Sequence, residues 1–217
     1  VHTGEWAKKA IKAAKAFGKV NIVASSEDGK FAYAPAQNDW KLDKDAAYVH
    51  YTGNETIGGV EFHWTPETGG VPLVCDMSSN ILSKPIDVSK YGLIYAGAQK
   101  NIGPAGLTIV IIRDDLIGKG VPAPQTMMDY KTHAENDSMY NTPPTYGIYI
   151  AGLVFQWIKA QGGVAAMEAR NAAKAELLYG CLDRSGFYQA KVDKACRSRM
   201  NVTFFLHDER LNDAFLK

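Results

Sequence analysis

Ala96-Gly97-Ala98-Gln99-Lys100-Asn101-Ile102-Gly103-Pro104-Ala105-Gly106 is the stretch on which the fold turns. Gly92-Leu93-Ile94-Tyr95 enters it and Leu107-Thr108-Ile109-Val110-Ile111-Ile112 leaves it. Both flanking runs are short and apolar, with the β-branched and aromatic content of buried strands. Lysine is among the residues least often buried, so one placed where two interior strands meet is costly unless its amine is used. The use that fits is a Schiff base to an aldehyde, because desolvation lowers the amine's pKa and leaves it nucleophilic. The plainer reading is a lysine in a surface loop. The flanking strands weigh against it, as do Gly97, Gly103 and Gly106, which let backbone approach a ligand closely.

Working outward, Trp6, Ala10, Ile11, Ala14 and Phe17 recur at helical spacing, with Gly18 placed as a C-terminal cap. Residues 20–24, 47–51 and 71–75 read as strands, and 25–46 as polar and turn-rich. This alternation predicts an α/β layer fold with a mostly parallel sheet sandwiched by helices. Residues 118–145 are loop-rich, carrying Gly118, Gly120, Pro122, Pro124 and Asn141-Thr142-Pro143-Pro144. Two long helices are expected over about 145–161 and 164–184, separated by Gln161-Gly162-Gly163. The apolar run 146–155 is too short for the ~18 residues of a membrane span and is expected as a buried helix. Residues 199–206 read as a strand and 208 onward as a helix. A domain transition is placed near Gly162, giving units 1–161 and 162–217.

Composition narrows the function classes. The chain has 217 residues, 46% hydrophobic and 22% charged, with a formal net charge of +1. That balance is ordinary for a globular protein and leaves no electrostatic footprint for nucleic acid or an anionic membrane. Cys75, Cys181 and Cys196 are an odd set without paired or metal-like spacing. They argue against a disulfide framework and a zinc site, and they suit a reducing compartment. Three Asn-x-Ser/Thr triplets begin at Asn54, Asn136 and Asn201. With no signal peptide in view they are read as chance matches. There is no GxGxxG, GxxxxGK[ST] or GxSxG, which disfavours nucleotide-dependent and serine-hydrolase chemistry. The chain opens on Val1 without Met and stops inside an amphipathic segment, so it reads as a piece of a longer protein.

Polar clusters stand at or just after the expected strand ends, where open α/β sheets bind ligands. Asp76 follows Val71-Pro72-Leu73-Val74-Cys75 and precedes Met77-Ser78-Ser79-Asn80. It is either a turn cap or, beside a pyridine cofactor, the group that holds the ring nitrogen protonated. Asn54-Glu55-Thr56 follows strand 47–51 and, taken alone, reads as an ordinary turn. Tyr140-Asn141-Thr142-Pro143-Pro144-Thr145 precedes a helix, as a cap, an anion site or both. Trp6 is core by default, although a flat indole can equally stack on a planar cofactor.

Together these residues resemble the phosphoserine aminotransferase family of pyridoxal-phosphate enzymes. The lysine loop carries the likeness, with Asn54-Glu55-Thr56, Cys75-Asp76-Met77-Ser78-Ser79-Asn80, Ile81-Leu82-Ser83-Lys84-Pro85-Ile86-Asp87-Val88-Ser89, Tyr140-Asn141-Thr142-Pro143-Pro144 and Arg197-Ser198-Arg199-Met200-Asn201. The resemblance implies transferase fold type I, with 1–161 the central part of the large cofactor-binding domain and 162–217 the beginning of a smaller α+β domain. It implies pyridoxal 5'-phosphate held by Lys100, which also moves the proton, with Asp76 at the ring nitrogen and Trp6 stacked on the ring. Thr56 and Gln99 would contact the cofactor, and Asn141 and Thr142 would reach the cofactor phosphate of the other subunit in a homodimer. The implied reaction moves an amine from L-glutamate to 3-phosphohydroxypyruvate, giving O-phosphoserine in serine synthesis. Some members treat a phosphorylated threonine analogue of pyridoxine synthesis likewise. A cytoplasmic enzyme with no metal is expected. The family's N-terminal glycine/arginine loop and the substrate-gripping histidines and arginines are absent from this stretch, and Thr203 stands where relatives tend to have Pro. The alternative is therefore a fragment that only dimerises or binds cofactor. A cysteine desulfurase on the same fold has His before its lysine and a mobile Cys; Gln99 and Cys75 speak against it.

Overall fold

The computed structural model describes residues 1–120 and 126–217; Pro122 and Pro124 of the expected loop region lie outside the described residues. Along the chain run β1 (Val49–Thr52), β2 (Asn54–Glu55), β3 (Val60–Glu61), β4 (Leu73–Asp76), β5 (Leu93–Gly97) and β6 (Thr108–Ile112). The main sheet has the order β1-β4-β5-β6. β1 pairs with β4 and β4 with β5 in parallel, whereas β5 and β6 are antiparallel. The lysine loop explains the reversal: the residues from 98 to 107 are too few for a parallel crossover and can only turn the chain back. β6 therefore forms the sheet edge and is not the buried strand expected, with Thr108 and Ile111 exposed.

Alternation along the strands separates two faces. Tyr51, Leu73, Cys75, Ile94 and Ala96 point into a core shared with Trp40, Phe62, Ile102 and Ala151. Phe62 meets Tyr51, Trp40 and Trp64 edge-on, at ring separations of 5.2, 6.3 and 5.5 Å, the geometry aromatic quadrupoles favour. The other face carries His50, Asp76 and Tyr95 and is less buried.

Helix α1 (Glu5–Ala14) stops earlier than its apolar spacing suggests. A turn follows, and Gly18 donates its N–H to Ala14 at 3.2 Å without adopting the left-handed conformation of a cap. Only Ala7 of the helix is buried and Phe17 is exposed, so the periodicity outruns the packing that would sustain a helix. Residues 20–24 do not form a strand. The nearest pairing is a single bridge just beyond them, between His2 and Ser25, and no ladder forms.

α2 (Tyr130–Glu135) is followed by α3 (Thr145–Ala160) and α4 (Gly163–Arg184), close to the two expected helices. Gly162 and Gly163 make the turn between them at φ 98° and 76°, backbone that only glycine enters at no steric cost. The apolar helix α3 is not buried. Gly147, Ala151 and Ile158 face the core, while Tyr146, Tyr149 and Trp157 are 74%, 62% and 51% exposed. Its apolar residues run around the whole helix, and among the described residues only one side finds a partner.

The C-terminal segment also departs from expectation. Only β8 (Phe205–Leu206) is a strand, antiparallel to β7 (Tyr188–Gln189), and α5 (Asn212–Phe215) is a single turn. Residues 199–201 bond instead to side chains: Arg199 N–H donates to Glu61, and the Met200 and Asn201 N–H groups donate to Ser198 Oγ. Among the described residues no helix is long and apolar enough to cross a membrane.

Candidate active site

The lysine loop is held from below. Ala98 N–H donates to Leu107 O at 2.9 Å, Gly103 N–H to Ala98 O at 2.9 Å, and Asn101 Nδ2 to Ile81 O at 2.6 Å. Ala98 and Ile102 are buried while Gln99 and Lys100 between them are exposed, so the loop is anchored on either side of the lysine. This corrects the expectation of an interior lysine: Lys100 stands on hydrogen-bonded backbone at the mouth of a cleft. Its Nζ donates to Thr56 Oγ1 at 2.6 Å and lies 4.7 Å from the Trp6 ring centroid. Burial still lowers its pKa, against the opposing charges of Asp76 and Glu55.

Asp76 ends β4, in register between Thr52 of β1 and Tyr95 of β5. Its Oδ1 accepts the Ser78 N–H at 2.9 Å, and Ser78 Oγ in turn accepts the Gly97 N–H at 3.1 Å. The turn-cap reading and the ring-nitrogen reading are therefore compatible, because the capping bond occupies only one carboxylate oxygen. Trp6, Thr52, Thr56, Asp76, Gln99 and Lys100 line one cleft of about 70 Å³. Thr52 Oγ1 and Trp6 Nε1 are buried there without a hydrogen-bond partner. Unpaired buried donors cost stability and are rare unless something fills the site. A planar, multiply accepting ligand with an aldehyde fits this donor set, which is the chemistry of pyridoxal phosphate.

Asn54-Glu55-Thr56 turns out to be three separate devices. Asn54 Nδ2 donates to Ser79 Oγ at 2.8 Å and to Asn201 Oδ1 at 2.7 Å, and the residue is too buried to be a glycosylation acceptor. Thr56 receives Lys100. Glu55, which the sequence did not single out, is 1% exposed and accepts the Trp6 and Ala7 N–H groups at 3.0 and 2.9 Å. It caps α1 from outside, satisfying two of the helix's free donors and the positive end of its dipole. Burial raises its pKa, partly offset by those two N–H bonds. Gly4 makes room for it, since a Cβ there would stand 2.7 Å from Glu55 Cδ. Nothing local signals a cap donated from a residue so distant in sequence.

Asn141 and Thr142 are not brought to Lys100 within this chain. Both are exposed, and Asn141 Nδ2 donates to Met127 Sδ at 3.2 Å. Neither caps α3, whose start has no side-chain cap; the Thr145 N–H and hydroxyl both donate to Pro143 O. Burial pushes the Cys75 thiol up to about 12, which makes it inert as a nucleophile. A larger cavity of about 200 Å³ lies between Phe62, Trp64, Tyr91 and Lys84. Its lysine is already spent on Glu61, at 3.2 Å, and on Phe62 O, at 2.9 Å, so chemistry rather than volume selects the Lys100 cleft.

The aminotransferase class-V family model matches residues 1–217. The phosphoserine aminotransferase of Herminiimonas arsenicoxydans is 63% identical over 216 residues, covering 100% of this chain and 60% of that protein. The phosphoserine aminotransferase of Pseudomonas paraeruginosa is 59% identical over 217 residues with the same coverage. Among solved structures, phosphoserine aminotransferase from Bacillus circulans subsp. alkalophilus superposes with a TM-score of 0.97 at 47% identity, covering 100% of this chain and 60% of that one. A PLP-bound phosphoserine aminotransferase from Trichomonas vaginalis superposes with a TM-score of 0.91 at 44% identity, covering 96% and 59%. The chain thus spans about 60% of the length of the curated relatives it matches. The mostly parallel mixed sheet with its helices is the fold type I arrangement of pyridoxal-phosphate aminotransferases. Matched from end to end, the chain belongs to the class-V aminotransferase family.

Proposed function

We propose that this chain is the cofactor-holding part of a transaminase of serine biosynthesis, moving an amine from L-glutamate to 3-phosphohydroxypyruvate to give 2-oxoglutarate and O-phospho-L-serine. The observation that carries the reading is the Lys100 amine, hydrogen-bonded to Thr56 and set over Trp6, in one cleft with Asp76. Pyridoxal phosphate, when bound, supplies the aldehyde and the electron sink. Lys100 is the nucleophile that holds it and then the base and acid that carries a proton at Nζ; partial burial, by lowering its pKa, favours the free amine. Thr56 orients that amine. Trp6 offers a flat apolar wall, and Asp76, fixed by Ser78, offers a carboxylate to a protonated ring nitrogen. Gln99 completes the cleft wall.

Asn141 and Thr142 are assigned to the cofactor phosphate of a second subunit, because they are exposed and lie outside their own chain's cleft. The uncovered apolar side of α3 adjoins them and is the surface assigned to the homodimer. Residues 1–161 are read as large-domain and 162–217 as small-domain sequence, in a cytoplasmic enzyme. The test is to titrate the protein with pyridoxal phosphate and follow visible absorbance, then add glutamate with 3-phosphohydroxypyruvate and assay 2-oxoglutarate. Absorbance that disappears in Lys100→Ala, with turnover requiring the phosphorylated acceptor, is expected. Cofactor uptake without turnover identifies a catalytically incomplete fragment, and turnover on the phosphorylated threonine analogue widens the substrate class.

A further inference from the structure

The β2–β3 hairpin belongs to the Lys100 cleft and also to a part of the chain remote in sequence. Asn54 and Thr56 line the cleft, and Thr56 accepts from Lys100. Residues 197–203 are fastened along the same hairpin. Val60 bridges to Arg197, and Ser198 N–H donates to Gly59 O at 2.8 Å. Arg199 N–H donates to Glu61 at 3.0 Å, and Thr203 Oγ1 to Gly58 O at 3.1 Å. None of residues 198–203 lines the cleft itself.

Asn54 joins the two sides. The Ser79 hydroxyl gives its one hydrogen to Asn54 O at 2.9 Å, so toward the Asn54 side chain it can only accept. Asn54 Nδ2 therefore faces it, at 2.8 Å, and spends its second hydrogen on Asn201 Oδ1, at 2.7 Å. Ser79 follows Ser78, whose N–H is held by Asp76. Asn54 and Ser79 are both buried, so water does not replace a partner that is lost. One continuous set of hydrogen bonds thus runs from residues 198–201 through Asn54 to the turn that carries Asp76, and Thr56 stands two residues along the same hairpin.

We propose that Asn201 is a positioning residue for the cofactor cleft: its side-chain oxygen, held by Asn54, ties residues 198–203 to the walls around Thr56 and Asp76, so that filling the cleft and seating this segment favour each other. This rests on the cofactor reading above. Such a coupling is reciprocal: whatever factor the tie contributes to cofactor affinity, the cofactor returns as protection of the tie against local opening. If the contacts served packing alone, residues 198–203 would be equally protected with the cleft empty or filled.

The experiment follows hydrogen–deuterium exchange of the full-length protein by mass spectrometry, without and with saturating pyridoxal phosphate. In wild type the cofactor is expected to slow exchange at residues 198–201 about fivefold. Asn201→Ala is expected to abolish that slowing and to raise the cofactor dissociation constant, read from visible absorbance, by the same factor. Asn201→Asp, which keeps an acceptor oxygen, is expected to retain both properties. Tyr179→Phe removes a different tie of this segment, the phenol bond to Ser198 O at 3.0 Å, and is expected to keep the cofactor-dependent slowing. Exchange that is indifferent to bound cofactor in wild type, or slowing that persists undiminished in Asn201→Ala, overturns the inference while the cofactor reading stands. A wild-type protein that takes up no cofactor overturns both. Should Asn201→Ala fail to fold, Asn201→Ser, whose hydroxyl stops one bond short of the lost oxygen, decides the matter by the same signal.

Discussion

Thr56 holds the Lys100 amine by one hydrogen bond of 2.6 Å at the edge of solvent. Losing such a bond costs ~1 kcal/mol, so Thr56→Val is expected to weaken pyridoxal phosphate binding about fivefold, measured by titrating the visible absorbance. A second residue prediction concerns pH. His50 is depressed to about 4 from an ordinary 6.5, chiefly by burial. Between those values the unfolded chain binds more protons than the folded one, so stability is lost as pH falls from about 6.5 toward 4, by up to ~1.4 kcal/mol per pH unit for this group. Urea melts across that window should show the slope in wild type and a flatter one in His50→Gln. Glu55 acts in the opposite sense. Its folded pKa is raised, so the folded state binds more protons just above the ordinary carboxylate range, and its contribution declines as pH rises through that window.

At the scale of elements, α1 is positioned by a contact that its own sequence does not reveal. Gly4→Ala would place a Cβ 2.7 Å from Glu55 Cδ and force the helix start or the carboxylate aside. An overpacked site of this kind costs about 1–3 kcal/mol. Chemical denaturation should show that loss, with a changed Trp6 fluorescence as the indole leaves Lys100; unchanged stability and emission would remove Glu55 from its role. The same contrast explains what the sequence disclosed. β1, β4 and β5 were legible because apolar runs bounded by turn residues encode buried strands locally. Lys100 and Asp76 were legible as candidates because Asp76 ends one of those strands and Lys100 stands three residues past the end of another. The Glu55 cap, the side-chain anchoring of 199–201 and the missing strand at 20–24 depend on partners elsewhere in the chain, and residue spacing is silent about such partners. Gly18 misled for a related reason: helical periodicity persisted beyond the last residue that packs.

At the scale of the whole molecule, α3 joins the exposed apolar surface to the unplaced half of the site. Tyr146, Tyr149, Leu153 and Trp157 are uncovered on a helix whose first turn follows directly on Asn141 and Thr142. A contiguous apolar face of this kind marks a protein interface, and if a second copy covers it, the two-fold operation brings each chain's loop toward its partner. Tyr149→Asp combined with Trp157→Asp should then shift the sedimentation coefficient of the full-length protein to that of a monomer. Sites shared between two subunits, as proposed, would make a sharper demand. Lys100→Ala and Asn141→Ala subunits are each expected to be impaired, but mixing them by unfolding and refolding creates heterodimers in which one site carries both defects and the other carries neither. Random pairing makes half of the dimers mixed, each with one intact site of two, so about a quarter of wild-type activity should return. If Asn141 instead serves the site of its own chain, every site in the mixture retains one defect and the activity stays at the average of the two parents.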